Sequence, residues 1–208
     1  MRKPGRPTQD ESDTRALLIE AAKRCFTQMS YHKVTTRKLA QESGVNAGLI
    51  RYYFINKEGL YKAMFLDMVQ TVTKEIRELV SMQKVEDFEP IFRCYARVIY
   101  KYPEFPKLMF KELQGEGICQ DYLIETVERE SFSLFDKVTG QLYEKGKLKP
   151  GVNPKFLRMS IISLMVFPLL NFHIAERVDG LVFSEELVED LIAHNLNLLQ
   201  NGCLKNEY

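Results

Sequence analysis

Thr36, Arg37, Tyr52, Tyr53 and Lys57 are hydrogen-bond donors gathered in one short stretch of the chain, at positions that read as helix starts and ends. Hydroxyls, phenols and cations set this way can clamp phosphate oxygens, with helix N-terminal amides adding further donors. Arg51 differs from them. Its guanidinium fork matches guanine O6 and N7, a pairing worth about 1–3 kcal/mol against a wrong base, although an arginine there can equally hold a phosphate. Arg37 can reach either target. Tyr53 shares a helix face with Leu49 and Ile50, so packing is the competing role for its ring. Ala47 and Gly48 carry almost no side chain, which lets a helix lie close in a DNA groove.

The elements that position these groups follow from spacing. Thr35 and Thr36 open a first helix that turns Leu39 and Ala40 inward. Gly44 supplies the turn, and Asn46 is suited to cap a second, short helix bearing Leu49, Ile50 and Tyr53 on its packed face. Asn56 then caps a third. Small Ala40, Gly44, Val45 and Ile50 form the skeleton of a helix-turn-helix. Upstream, Leu18, Ala22, Cys25, Phe26 and Met29 make an amphipathic helix over Asp13–Met29 that buttresses it. Downstream, Leu60, Met64, Met68, Val72, Ile76 and Leu79 repeat at helical spacing from Lys57 to about Met82, with no breaker.

Arg15, Ala21-Ala22, Phe26, Tyr31, Thr35-Thr36, Ala40, Gly44-Val45, Tyr52, Phe54, Lys57, Glu58 and Leu60 together resemble the N-terminal pattern of the tetracycline-repressor (TetR) family of bacterial transcriptional regulators. Two positions depart from it. Ser30 stands where the family usually has glycine, so a positive φ and slight strain are expected there; Arg51 replaces a frequent tyrosine and bears on sequence preference. The resemblance implies an all-α fold of about nine helices: an N-terminal three-helix DNA-binding domain, linked by a long helix to a C-terminal helical ligand-binding and dimerisation domain. Residues 1–58 would hold the N-terminal arm and the helix-turn-helix, and 59–208 the rest. The arm, Arg2-Lys3-Pro4-Gly5-Arg6-Pro7, either is a plain basic tail or places Arg6 in the minor groove.

Charge agrees with a phosphate-facing end. Residues 1–62 carry a net +6 and residues 63–208 a net −5, giving the +1 of the whole chain. The first residues hold no apolar segment of a signal peptide, so a cytoplasmic location is expected. The longest uncharged stretch, Met159–Ala175, spans 17 residues and includes Ser160, Ser163, Pro168, Asn171 and His173. It reads as a buried helix, kinked at Pro168, rather than a membrane span. Cys25, Cys94, Cys119 and Cys203 lie without metal-ligand spacing and read as small buried hydrophobes, with no cofactor or metal implied. Three histidines, with no triad, Walker, dinucleotide or HExxH pattern, argue against an enzyme.

The C-terminal part keeps helical periodicity throughout, with helices expected near 87–101, 105–114, 119–145, 154–177 and 184–200. Phe92, Tyr95, Phe110, Leu113, Phe132, Phe135, Met165, Phe172 and His173 would face inward, as would Ile99, Tyr122 and Phe167. Relatives in the family enclose a small-molecule pocket among the corresponding helices, so these are the candidate ligand residues; plain core is the alternative for each, and a satisfied core histidine for His173. Leu157, Ile161, Leu164, Leu187, Leu191, His194 and Leu198 suit either a four-helix dimer interface or the monomer core. The function implied is a homodimeric regulator that binds a palindromic double-stranded operator and is released by a small apolar or aromatic ligand. An architectural DNA-binding protein with a protein partner and no inducer is the alternative.

Overall fold

The computed structural model describes residues 9–115 and 117–205, with side chains from Asp13 onward. The chain divides into unit 1, Met1–Asp67, and unit 2, Met68–Tyr208. Unit 1 holds α1 (Gln9–Gln28), a 3₁₀ turn (Tyr31–Lys33), α2 (Thr36–Ser43), α3 (Gly48–Phe54) and the first turns of α4 (Lys57–Ser81). Its core is made by Leu18, Ala22 and Phe26 from α1, Leu39 from α2, Ile50 and Phe54 from α3, and Leu60, Tyr61 and Met64 from α4. Phe26 meets Tyr61 edge-on at 4.6 Å and stacks on Tyr31 at 5.7 Å. Such pairs fix ring orientation as well as burying area. Lys23 on α1 is buried and bonded to Glu20 at 2.6 Å and to Asp67 of α4 at 2.7 Å. Burial pushes its ammonium down, but the hydrogen bonds and charges of Asp67 and Glu20 outweigh that, and the group sits above its ordinary value.

Local chemistry sets the helix ends. The Thr35 hydroxyl accepts the Lys38 amide at 3.1 Å, and Gly44 at φ 68° closes α2 in the left-handed region that glycine enters without cost. Asn46 Oδ1 accepts the Gly48 amide at 2.8 Å, and Asn56 Oδ1 accepts that of Gly59 at 2.8 Å, so both asparagines act at the helix starts their positions suggest. At Gly59 a Cβ would collide with the Phe54 carbonyl oxygen, so the α3–α4 corner needs glycine. Ser30 departs from expectation. It is extended at φ −61° and leads into the 3₁₀ turn, so no positive φ is required and no strain arises there.

Unit 2 contains the remainder of α4, then α5 (Glu89–Lys101), α6 (Phe105–Leu113), α7 (Gln120–Val127), a π-helical turn (Glu128–Phe132), α8 (Ser133–Glu144), α9 (Pro154–Leu170), α10 (Phe172–Asp179) and α11 (Glu185–Cys203). No strand is present among the described residues; Leu148 and Leu204 form one isolated antiparallel bridge. The fold is all-α. Its core joins Phe88, Ile91 and Phe92, Leu134, Phe135 and Val138, Leu157 and Ile161, and Ile192, Leu196 and Leu199. The segment expected as one helix over 154–177 is broken at Asn171, with α9 and α10 bent by 63°. Pro168 has no N–H to give to the Leu164 carbonyl four residues back. That carbonyl accepts instead from Asn195 Nδ2 of α11 at 3.2 Å, which accounts for a buried asparagine in an apolar layer. No single helix among the described residues is long and apolar enough to cross a membrane.

Candidate nucleic-acid interface and ligand cavity

Outward on α2 and α3 lie Thr36, Arg37, Ala47, Gly48, Arg51 and Tyr52, all exposed, with the Asn46 side chain holding the start of α3. Tyr52 is 68% exposed and braced edge-on against Tyr53 at 4.8 Å. Tyr53 itself is half-buried, as is Leu49, whereas Ile50 and Phe54 supply the buried face of α3. Arg15 lies over the Phe54 ring at 5.2 Å and secures the helix from behind. Arg6 falls outside the described residues.

The cations separate into two groups. Arg24 pairs with Glu42 at 2.8 Å, Lys62 with Glu58 at 2.6 Å, and Lys23 with the two carboxylates already described. Lys33, Arg37, Lys38 and Arg51 are exposed and form no ion pair among the described residues. Cations left without carboxylates on one small domain are what polyanion binding uses, since each neutralised phosphate releases counterions. Lys33 and Lys38 are additions to the sequence-based set; the signal for Lys38 is only that Glu42, four residues on, turns to Arg24 instead.

Lys57 differs from the other candidate phosphate donors. Its ammonium points inward, donating to the carbonyls of Tyr31 at 3.0 Å and Val34 at 2.9 Å and lying over the Tyr31 ring at 3.9 Å. Burial pushes it below the ordinary lysine value. The Tyr31 carbonyl also accepts the Val34 amide at 3.2 Å, whereas Lys57 is the donor the Val34 carbonyl has among the described residues, so the side chain ties the 3₁₀ turn to α4.

The candidate ligand residues are only partly brought together. Phe92, Tyr95 and Met165 line a slot of about 30 Å³ closed by α5, α9 and α11. Phe172 lines a separate, wider groove of about 350 Å³ between the end of α9, α10 and the start of α11. Phe135 is buried in the core and lines neither space; Leu113 and Phe132 are half-buried, the latter under the Arg158 guanidinium at 4.5 Å. Phe110 and His173 are exposed, against the expectation that they face inward, and so is Phe167. For His173 the cause is the break at Asn171, which shifts the helical phase so that a position continuing an inner stripe turns outward; Phe167 precedes the break and stands on the outer side of α9. Of the residues suited to either core or dimer contact, Leu157 and Ile161 are core, while His194 and Leu198 are exposed together with Phe156 and Met159.

Residues 18–64, which span the buttress helix, the helix-turn-helix and the start of α4, match the family of bacterial regulatory proteins, tetR family. The chain is 26% identical over 193 residues to the uncharacterized HTH-type transcriptional regulator YhgD of Bacillus subtilis, covering 89% of this chain and 94% of YhgD. It is 27% identical over 166 residues to the regulator RutR of Escherichia coli O157:H7, covering 74% and 72%. Among solved structures, FadR of Bacillus subtilis in complex with stearoyl-CoA has the same fold, with a TM-score of 0.69 at 18% identity over 90% of this chain and 98% of that one. FadR of Bacillus halodurans gives a TM-score of 0.70 at 18% identity, covering 97% and 98%. The chain is thus similar to the TetR family in its N-terminal residues and to HTH-type transcriptional regulators along most of its length.

Proposed function

We propose that the protein is a homodimeric repressor acting in the cytoplasm, which holds a palindromic operator through α2 and α3 and lets go when a small apolar ligand binds unit 2. The observation that carries the DNA-binding part is the set Lys33, Arg37, Lys38 and Arg51, exposed and without carboxylate partners among the described residues, beside the bare Ala47-Gly48 start of α3. Arg37, Lys38 and Tyr52 serve as phosphate donors, with Thr36 at the first turn of α2. Arg51 lies one turn into α3 and is the side chain best placed to read a base edge. Tyr53 acts mainly by holding Tyr52. A single domain of this size makes few contacts, so two copies on two half-sites are needed for operator-level affinity. Ligand release is supported by the apolar spaces in unit 2 and by the ligand-bound FadR of the same fold. A hundredfold loss of operator affinity needs a ligand preference for the unbound state of only about 2.7 kcal/mol.

The test is operator binding at several salt concentrations, using a fragment from the protein's own promoter region. Arg37→Ala and Lys38→Ala are each expected to weaken binding to all sequences and to lower the salt slope by about one. Arg51→Ala is expected to cost about 1–3 kcal/mol on the cognate site and little on a scrambled one. Unchanged slopes in both of the first two variants would remove α2 from the interface.

A further inference from the structure

The groove beneath α10 and the slot beside Tyr95 share Leu169, Val188 and Leu191 as a common wall. The groove is walled by Phe167, Phe172 and Phe183, with Phe172 and Phe183 in edge-on contact at 5.6 Å. Its size lies at the lower end of the range usual for small-molecule sites. No cation lines either space, and the one charged group at the mouth is the Asp179 carboxylate. At the inner end stand two polar side chains in an otherwise apolar slot. Tyr95 makes no hydrogen bond among the described residues, and Asn195, buried, uses its Nδ2 on the Leu164 carbonyl. Both groups still reach solvent, the buried side-chain polar atom without a partner among the described residues being Gln141 Oε1; an apolar occupant would strip their water unreplaced, so one that supplies a hydrogen bond there gains more than a purely apolar one. The roof is a short helix set between two backbone breaks, Asn171 at one end and Gly180, at φ 68°, at the other.

We propose that the groove and slot form one site for an uncharged, elongated apolar molecule with a single terminal hydroxyl or carbonyl, which lies beneath α10 with its polar end at Tyr95 and Asn195. The Leu169, Val188 and Leu191 side chains part to join the two spaces, and α10 swings on its two breaks to admit the chain. A carboxylate is disfavoured at both ends, since the inner end has no cation to replace its water and the mouth presents Asp179. This site rests on the ligand-responsive reading above and gives that ligand a position and a chemical class.

Isothermal titration of the full-length protein at pH 8 with 1-decanol, decanoate and n-decane tests it. Decanol is expected to bind about tenfold or more tighter than decanoate, the cost of desolvating an unpaired charge being the larger. Tyr95→Phe, which removes only the hydroxyl, is expected to weaken decanol about two- to tenfold, the worth of one hydrogen bond, and to leave decane unchanged. Leu191→Trp, which fills the shared wall, is expected to abolish decanol binding while operator binding persists as the check of folding. Decanoate binding as tightly as decanol, or Tyr95→Phe binding decanol as the parent does, overturns the proposal. Decanol that binds but leaves the operator occupied keeps the site and removes the release reading. Decanol that releases the operator equally from Leu191→Trp keeps the release reading and removes the site.

Discussion

Lys57 shows how one residue can look like a ligand contact and be a brace. It stands at the first position of α4, where a cation beside a reading helix would meet phosphate, yet its ammonium holds two carbonyls of the 31–34 segment. Lys57→Met keeps much of the stem but leaves the Val34 carbonyl without its donor and the Tyr31 carbonyl with the Val34 amide alone, so a loss of about 1–3 kcal/mol in urea unfolding is expected, with the salt slope of operator binding unchanged in the folded fraction. A salt slope that falls by about one, with stability intact, would return Lys57 to the phosphate contacts. The sequence showed the caps at Thr35, Asn46 and Asn56 because each acts on an amide two or three residues away. It could not show the destination of Lys57, whose acceptors lie 26 and 23 residues away along the chain. Lys33 and Lys38 escaped notice for a related reason: whether a surface cation is paired depends on which neighbour wins the nearby carboxylate.

Among the elements, the α9–α10 pair departs most from its sequence pattern. Apolar periodicity runs from Pro154 to Arg177 without an obvious stop, and Pro168 alone suggests a kink. The carbonyl that Pro168 leaves without an amide is served by Asn195, distant in sequence, which donates to Leu164. This makes a paired prediction. Asn195→Leu should cost about 1–3 kcal/mol, because it leaves a buried carbonyl unsatisfied. Pro168→Ala restores an N–H that can serve the same carbonyl, so the loss caused by Asn195→Leu should be smaller in the Pro168→Ala background; thermal or urea unfolding of the four proteins in a double-mutant cycle measures the difference. Equal losses in both backgrounds would show that Asn195 does not substitute for the missing amide. The other C-terminal helices were legible to within a few residues, since Pro103, the 115–117 glycines and Gly146 punctuate them directly. The ligand residues were legible only as apolar. For Phe172 and His173, which of them faces a cavity depends on the helical phase after Asn171, and for the others on which helix packs opposite; single-position periodicity carries neither.

At the scale of the molecule, the net-positive residues 1–62 and the net-negative residues 63–208 coincide closely with a helix-turn-helix unit and a larger helical unit. That division orients the protein toward a polyanion and keeps the C-terminal unit from competing for it. The dimer proposed for operator binding finds support in Phe156, Met159 and Phe167 on α9 and Leu198 on α11, apolar side chains exposed in a single copy. Met159→Asp places a charge in that face and is expected to give monomers by analytical ultracentrifugation at micromolar concentration, with operator affinity reduced at least tenfold, about 1.4 kcal/mol or more. A variant that stays dimeric would move the interface elsewhere on unit 2.

The burial of the cysteines bears on how the protein can be watched at work. Cys25, Cys94 and Cys119 are enclosed, and burial together with the Glu75 carboxylate pushes the Cys94 thiol up to about 12; Cys203, at the end of α11, is half-buried. A maleimide carrying a spin label or fluorophore should therefore attach once per folded chain, at Cys203, at a rate held back by the partial burial that also raises this thiol. Incorporation near one label per chain in buffer, rising toward four in denaturant, checks this by mass spectrometry. In a symmetric pair of chains the two labels form a ready ruler, and the wild-type sequence supplies it without a single engineered residue.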